Sequence, residues 1–104
     1  MAAYAQTTTI DQRVPFKVPG QPGYKMLTGS INLTNYNATL AEITAITGKF
    51  KSTPRVVLDG VSSGGHLVQW VPASKAVKAI VSSTGAEAAT DVNVGTINFI
   101  AVGI

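Results

Sequence analysis

The sequence predicts a mainly β fold, β-sandwich or jelly-roll-like, with one short helix and an extended N-terminal arm. Three observations carry this expectation. Leu27, Gly29, Ile31 and Leu33 share one parity while Thr28, Ser30 and Asn32 share the other, the period of two that marks a half-buried strand. Short apolar runs at Arg55–Asp59, His66–Val71 and Ala76–Val81 are separated by Gly-, Ser- and Pro-rich turns. The run Gly95-Thr-Ile-Asn-Phe-Ile-Ala-Val-Gly-Ile104 is apolar to its last residue. A loose apolar end frays, so this run is expected to be a strand in the middle of a sheet, buried on both faces.

Taken in order, residues 1–23 form the expected arm and residues 24–104 a single β-sandwich domain. Pro15, Pro19 and Pro22 each fix φ and remove a backbone donor, which excludes helix and any central strand. Val14, Phe16 and Val18 nevertheless alternate with Pro15 and Lys17, and so want one face against something apolar. Three readings stand: the arm lies along its own sheet edge, it reaches across to a neighbour, or it is a disordered tail. On the second, Tyr4, Ile10, Val14 and Phe16 anchor the arm on a partner, with Arg13 among the contacts. Deleting residues 1–22 is then expected to leave a folded domain that no longer binds.

After the strand from Tyr24 to Leu33, Thr39-Leu-Ala-Glu42 has the form of a capping box. Leu40, Ile43 and Ile46 follow at helical spacing, and Gly48 suits the residue past the end. These predict a helix over Ala38–Thr47, held by packing because its Thr content is poor for helix propensity. The three strands of the second half then form a meander, with a longer loop over Ser82–Asn93 before the terminal run.

A chain of 104 residues reads as one domain. It is 45% hydrophobic and only 12% charged, about half the roughly 25% of an average soluble domain. Its mean hydropathy is +0.25. This composition argues against disorder and implies an uncharged, Thr/Ser/Asn-rich surface with apolar parts buried against other subunits. The net charge is +3, but the cations are scattered singly, and the densest group is Lys49, Lys51 and Arg55. Nucleic-acid binding needs a continuous basic patch with stacking aromatics, so no nucleic-acid partner is expected. No run reaches the ~18 apolar residues of a membrane span, and no signal peptide is visible.

The residues that carry chemistry are sparse. Asp11, Glu42, Asp59, Glu87 and Asp91 lie far apart, with no spacing that sets up acid and base roles. His66 is the one histidine; Ser62 or Ser63 near it lacks the context of a nucleophile elbow. With no Cys and one His, no metal site is expected. Gly60, Gly64 and Gly65 lead into a strand and not a helix, so they make no phosphate cradle. No catalytic residue, metal or cofactor is expected, and the chain is read as no enzyme. Trp70 shares parity with Val68, opposite to Leu67 and Val71, which makes it a core or subunit-contact residue ahead of a sugar platform.

The strand Arg55–Asp59, the aromatic-bearing strand His66–Val71, the lysine-bearing segment Lys75–Val81, the polar loop and Asn98-Phe-Ile-Ala-Val-Gly103 follow one another in a pattern that resembles a known group. They are similar to the small proteins encoded beside the major capsid protein in tailed-phage genomes, with Ile31 to Ile46 aligning more loosely. The resemblance implies a head decoration, or cement, protein: a β-sandwich, commonly a homotrimer, that clamps adjacent copies of the major capsid protein from outside. It implies residence on the virion surface after synthesis in the host cytoplasm, and it carries over no catalytic residue. The arm over residues 1–23 is longer than the leaders of these proteins. Two rivals remain: a trimeric receptor-binding or fibre-tip module touching a surface glycan through Trp70 and Ser82–Asn93, and a monomeric carbohydrate-binding or adhesive domain of a cell.

Overall fold

In a computed structural model that describes residues 3–15 and 24–104, the chain is mainly β with one short helix. The strands are β1 (Ala5–Pro15), β2 (Lys25–Asn35), β3 (Arg55–Leu58), β4 (His66–Val71), β5 (Ala76–Val81) and β6 (Gly95–Gly103). The helix α1 (Thr44–Thr47) lies between β2 and β3. A four-stranded sheet runs β1-β2-β6-β3 and a two-stranded sheet runs β4-β5, all neighbours antiparallel. The mainly β, sandwich-like class expected from the alternation is the one observed.

Residues 59–63 join the sheets edge to edge. On one side Asp59 N–H donates to the Asn98 carbonyl (3.2 Å) and Ser63 N–H to the Thr96 carbonyl (2.9 Å). On the other, Ser62 N–H donates to the His66 carbonyl (2.8 Å) and Val68 N–H to the Gly60 carbonyl (2.9 Å). Beyond this stitch β3 and β4 diverge, because the partner of β3 is β6 and that of β4 is β5.

The inner faces share one core. Leu27, Ile31 and Leu33 of β2, Ile97, Phe99 and Ala101 of β6, and Val77 and Ala79 of β5 are all buried, together with Tyr36, Ile43 and Ile46. The terminal run is central in its sheet, as expected, but it is covered on one face alone. Ile97, Phe99 and Ala101 point inward while Thr96, Asn98 and Ile100 are exposed. Among the described residues no helix covers the outer side of the four-stranded sheet, so alternation, and not the total apolar content of the run, decides its burial.

The segment read as an arm is, over Ala5–Pro15, strand β1 at the edge of the chain's own sheet. Its register with β2 shifts between Ile10 and Gln12. Gly29 stands opposite Ile10, and a Cβ there would strike the Thr9 carbonyl and lie 3.1 Å from Phe99 Cε1. The missing side chain is what allows β1 to come close enough for this irregular pairing. Phe16 lies outside the described residues.

The helix is four residues long, Thr44–Thr47, and not Ala38–Thr47. The side chain of Asn37 accepts from Thr39 N–H (2.9 Å), and Ile43 N–H donates to the Lys75 carbonyl (2.9 Å). Those bonds hold residues 37–43 in a path across the β4–β5 turn, so the capping box does not form. Glu42 instead accepts from the Thr47 hydroxyl (2.6 Å). Ile43 and Ile46 are buried all the same, with Leu40 packed against the core.

Candidate functional site

Two pairs of exposed apolar side chains stand on the surface, one across β3 and β6 and one between the stitch and β4. On the four-stranded sheet Val57 pairs with Ile100, and they are 65% and 44% exposed. On the two-stranded sheet Val61 bridges to Leu67, and they are 52% and 40% exposed. Around Val57 and Ile100 the outer face is made of Thr28, Ser30, Asn32, Thr96 and Asn98, with Arg55 and Asp59 at its rim. Asn98 donates to the Asp59 carboxylate (2.9 Å). Such a face is cheap to dehydrate because few of its groups are charged.

Where β3 and β4 diverge they leave an open groove of about 590 Å³, lined by Pro54, Val56, Leu58, Val68, Trp70 and Pro72 together with Arg55 and Val57. Its floor is the edge of the core, since Val56, Leu58, Val68 and Trp70 pack against the buried cluster while remaining partly exposed. The indole N–H of Trp70 is buried without a hydrogen-bond partner among the described residues. The ring is therefore neither a fully sealed core residue nor a presented platform.

The sequence-predicted contact residues divide. Tyr4 is buried in the chain's own core, 8% exposed, edge-on to Tyr36 with ring centroids 6.1 Å apart. Its hydroxyl donates to the Val77 carbonyl (2.9 Å) and accepts from Val77 N–H (3.1 Å), so it is committed within this chain. Ile10 is half-buried against the same core. Arg13 is exposed opposite Leu27, and Val14 pairs with Met26 in the ladder. Trp70 lies across the sandwich in the groove, so these residues do not form one surface.

No family model, curated protein or solved structure matches the chain. What it does must therefore be argued from its own geometry.

The possible catalytic residues are occupied structurally. Ser62 is 5% exposed; its hydroxyl donates to the Val94 carbonyl (2.6 Å) and accepts from the backbone N–H of His66 (3.2 Å). Ser63 Oγ accepts from Thr96 N–H (2.8 Å). The Ser62 hydroxyl fastens the stitch to Val94, just ahead of β6, and that of Ser63 to β6 itself. The His66 ring nitrogen Nδ1 is buried and has no partner among the described residues. Among the described residues, no three His, Asp or Glu side chains gather in a way that would hold a metal.

The feature that sequence reading missed is a cationic pole. Lys25 pairs with Gly103 and Arg55 with Val102, while Lys51 N–H donates to the Ile104 carbonyl (2.6 Å). Lys25 Nζ sits 5.5 Å above the Phe50 ring, with Lys49 and Lys51 exposed on either side of Phe50. Lys25, Lys49, Lys51 and Arg55 thus lie toward the C-terminal end of β6, Lys25 at a position of the inward parity of Leu27 and Arg55 at one of the outward parity of Val57. Only the last three were close in sequence; no local signal joins Lys25 to them. Glu42, on the same side, is already engaged by Thr47 and by Lys75 at 4.0 Å.

Proposed function

We propose that the chain is a head decoration (cement) protein of a tailed phage, binding the outside of an assembled capsid as a homotrimer and bridging neighbouring major capsid subunits. The observation that carries this reading is the exposed apolar surface around the stitch, Val57 with Ile100 and Val61 with Leu67, on faces otherwise rich in uncharged polar residues. Exposed apolar patches of this kind mark protein–protein contacts. The resemblance of Arg55–Gly103 to proteins encoded beside the major capsid protein supplies the identity of the partner. The chain would be made in the host cytoplasm and reside on the virion surface.

A protein that binds the assembled lattice and not its separate parts adds its binding free energy to the stability of the shell. Threefold repetition of one weak contact multiplies affinity through effective concentration. The glycan-binding rival has less support: a sugar platform needs a presented ring, and no described aromatic side chain is in the exposed class.

The test is co-sedimentation with empty heads, followed by thermal challenge of those heads with and without the protein, beside a mass measurement in solution. Retention on heads, a raised disruption temperature and a trimeric mass are the expected results. A monomer that fails to sediment with heads would sink the reading.

A further inference from the structure

We infer that the groove between β3 and β4 is a strand-addition site, which takes a short extended segment of a partner protein with apolar side chains on one face and carboxylates on the other. The inference leans on the decoration reading only for who supplies the segment.

The backbone argues for a strand as the occupant. Among the described residues, β3 is the edge of its sheet, paired with β6 on one side only, and β4 beyond Val68 is paired with β5 on one side only. Two unpaired strand edges therefore face a common opening. A guest strand there can pair with β3 and continue the four-stranded sheet, satisfying backbone groups that otherwise rest on water. The opening is short. Four residues of β3 span about 13 Å at about 3.3 Å each, and Pro54 and Pro72, which cannot donate, stand at its rim. Short, proline-bounded edges resist open-ended self-pairing, which suits a site for one small guest.

The side chains argue for its composition. Residues of the guest pointing inward meet Val56, Leu58, Val68 and Trp70, which are apolar and still partly exposed. The buried indole N–H of Trp70 has no partner among the described residues, and an acceptor brought in by the guest would relieve that unpaired donor. Residues pointing outward stand beside Arg55, which is exposed, shares the outward parity of Val57 and is the one charged residue lining the groove. The groove lining holds no carboxylate. Opposite charges across a strand pair attract and like charges repel. A guest with glutamate or aspartate outward and valine, isoleucine or leucine inward satisfies both faces.

The test uses the whole protein and two capped octapeptides, one alternating glutamate with valine and one alternating lysine with valine. Trp70 is the chain's single tryptophan, so its emission reports the groove directly, and amide hydrogen exchange reads protection along β3. The acidic peptide is expected to shift the emission and protect amides within Arg55–Leu58. Arg55→Glu, an exposed change that leaves the fold intact, is expected to weaken it at least tenfold and to admit the lysine peptide. Absence of a shift, equal binding of both peptides, or protection on β1 instead of β3 would overturn the site. So would an oligonucleotide that displaced the acidic peptide. If the protein binds heads and the peptide neither binds nor competes, the groove fails and the decoration reading stands. If the peptide binds and heads do not, the reverse holds.

Discussion

The hydroxyl of Tyr4 occupies the place of a neighbouring strand beside Val77: it accepts from Val77 N–H at 3.1 Å and donates to the Val77 carbonyl at 2.9 Å. Both groups of Val77 point away from β4, and one phenol, 73 residues distant in sequence, satisfies them. The start of the chain is thereby pinned to the two-stranded sheet while β1 pairs with β2 in the other.

Tyr4→Phe keeps the ring and removes both bonds. Val77 is fully buried, so its N–H and carbonyl lose their partner in a site closed to water. An unsatisfied buried group costs about 1–3 kcal/mol. For a domain of this size each 1 kcal/mol lowers Tm by roughly 4–8 °C. Denaturant titration and thermal melting of the variant check this. Deletion of residues 1–15 is expected to go further and abolish cooperative unfolding, because it strips β1 from β2 and empties the Tyr4 site. A clean separation of arm from domain at residue 22 is therefore not expected.

Tyr4 and Tyr36 also set an alkaline limit. Burial pushes the Tyr4 hydroxyl from 10.0 up to about 12, with Val77 N–H pulling the other way. Burial raises Tyr36 as well, and its donated bond to the Glu87 carboxylate raises it further. Both groups ionise near 10 in the unfolded chain and higher in the fold. Their contribution is therefore complete below pH 10 and is lost as pH rises through the folded values. Unfolding free energy measured across pH 8 to 12 is expected to be flat and then to fall from about 10 upward. Tyr36→Phe should make the fall shallower; an unchanged slope would contradict the assignment.

Gly95 holds the turn into β6 at φ +96, and a Cβ on it would sit 2.8 Å from the Gly64 nitrogen as well as against Ser63 Oγ. Gly95→Ala thus combines a disfavoured φ with a collision against the stitch, at a cost of about 1–3 kcal/mol from the backbone alone. Gly29→Ala, at ordinary φ, collides with the Thr9 carbonyl and should loosen β1 from β2. Hydrogen exchange separates the two. The first variant should lose protection at Ser62–His66, the second along β1.

Much of the sheet was legible because alternation is a local property. Leu27, Ile31 and Leu33 against Thr28, Ser30 and Asn32 declare one buried face, and β3, β4 and β5 stand between turn residues. β1 was harder. Thr7-Thr8-Thr9 gives no apolar contrast and Pro15 argues against a ladder, yet an edge strand needs neither a full apolar face nor every donor. The helix was overestimated because Thr39 and Glu42 match a capping box in spacing, while Asn37 and the Lys75 carbonyl supply competing bonds that only the tertiary fold brings near. The groove and the cationic pole were invisible for the same reason. Lys25 and Arg55 come to the same end of the sheet through the register of β2 and β3 on β6, and nothing near either residue in sequence specifies that register.

The outer apolar pair yields the sharpest test of what the chain does. Val57 and Ile100 face solvent opposite one another on β3 and β6. Val57→Thr and Ile100→Thr retain a β-branched side chain, and with it the strand preference, while replacing a methyl group of Val57 and the ethyl group of Ile100 by hydroxyls. Because both side chains are about half exposed or more, the double variant is expected to fold with unchanged secondary structure and a Tm within a few degrees of the parent. If this face is the subunit or capsid contact, each apolar side chain removed from a buried centre weakens association, and a threefold assembly applies the loss three times over. Analytical ultracentrifugation should then show the mass falling to that of a monomer of 10.8 kDa, and sedimentation with heads should fail. Retained trimers together with retained head binding would move the contact to the groove beside Trp70, where Arg55→Glu tests it separately.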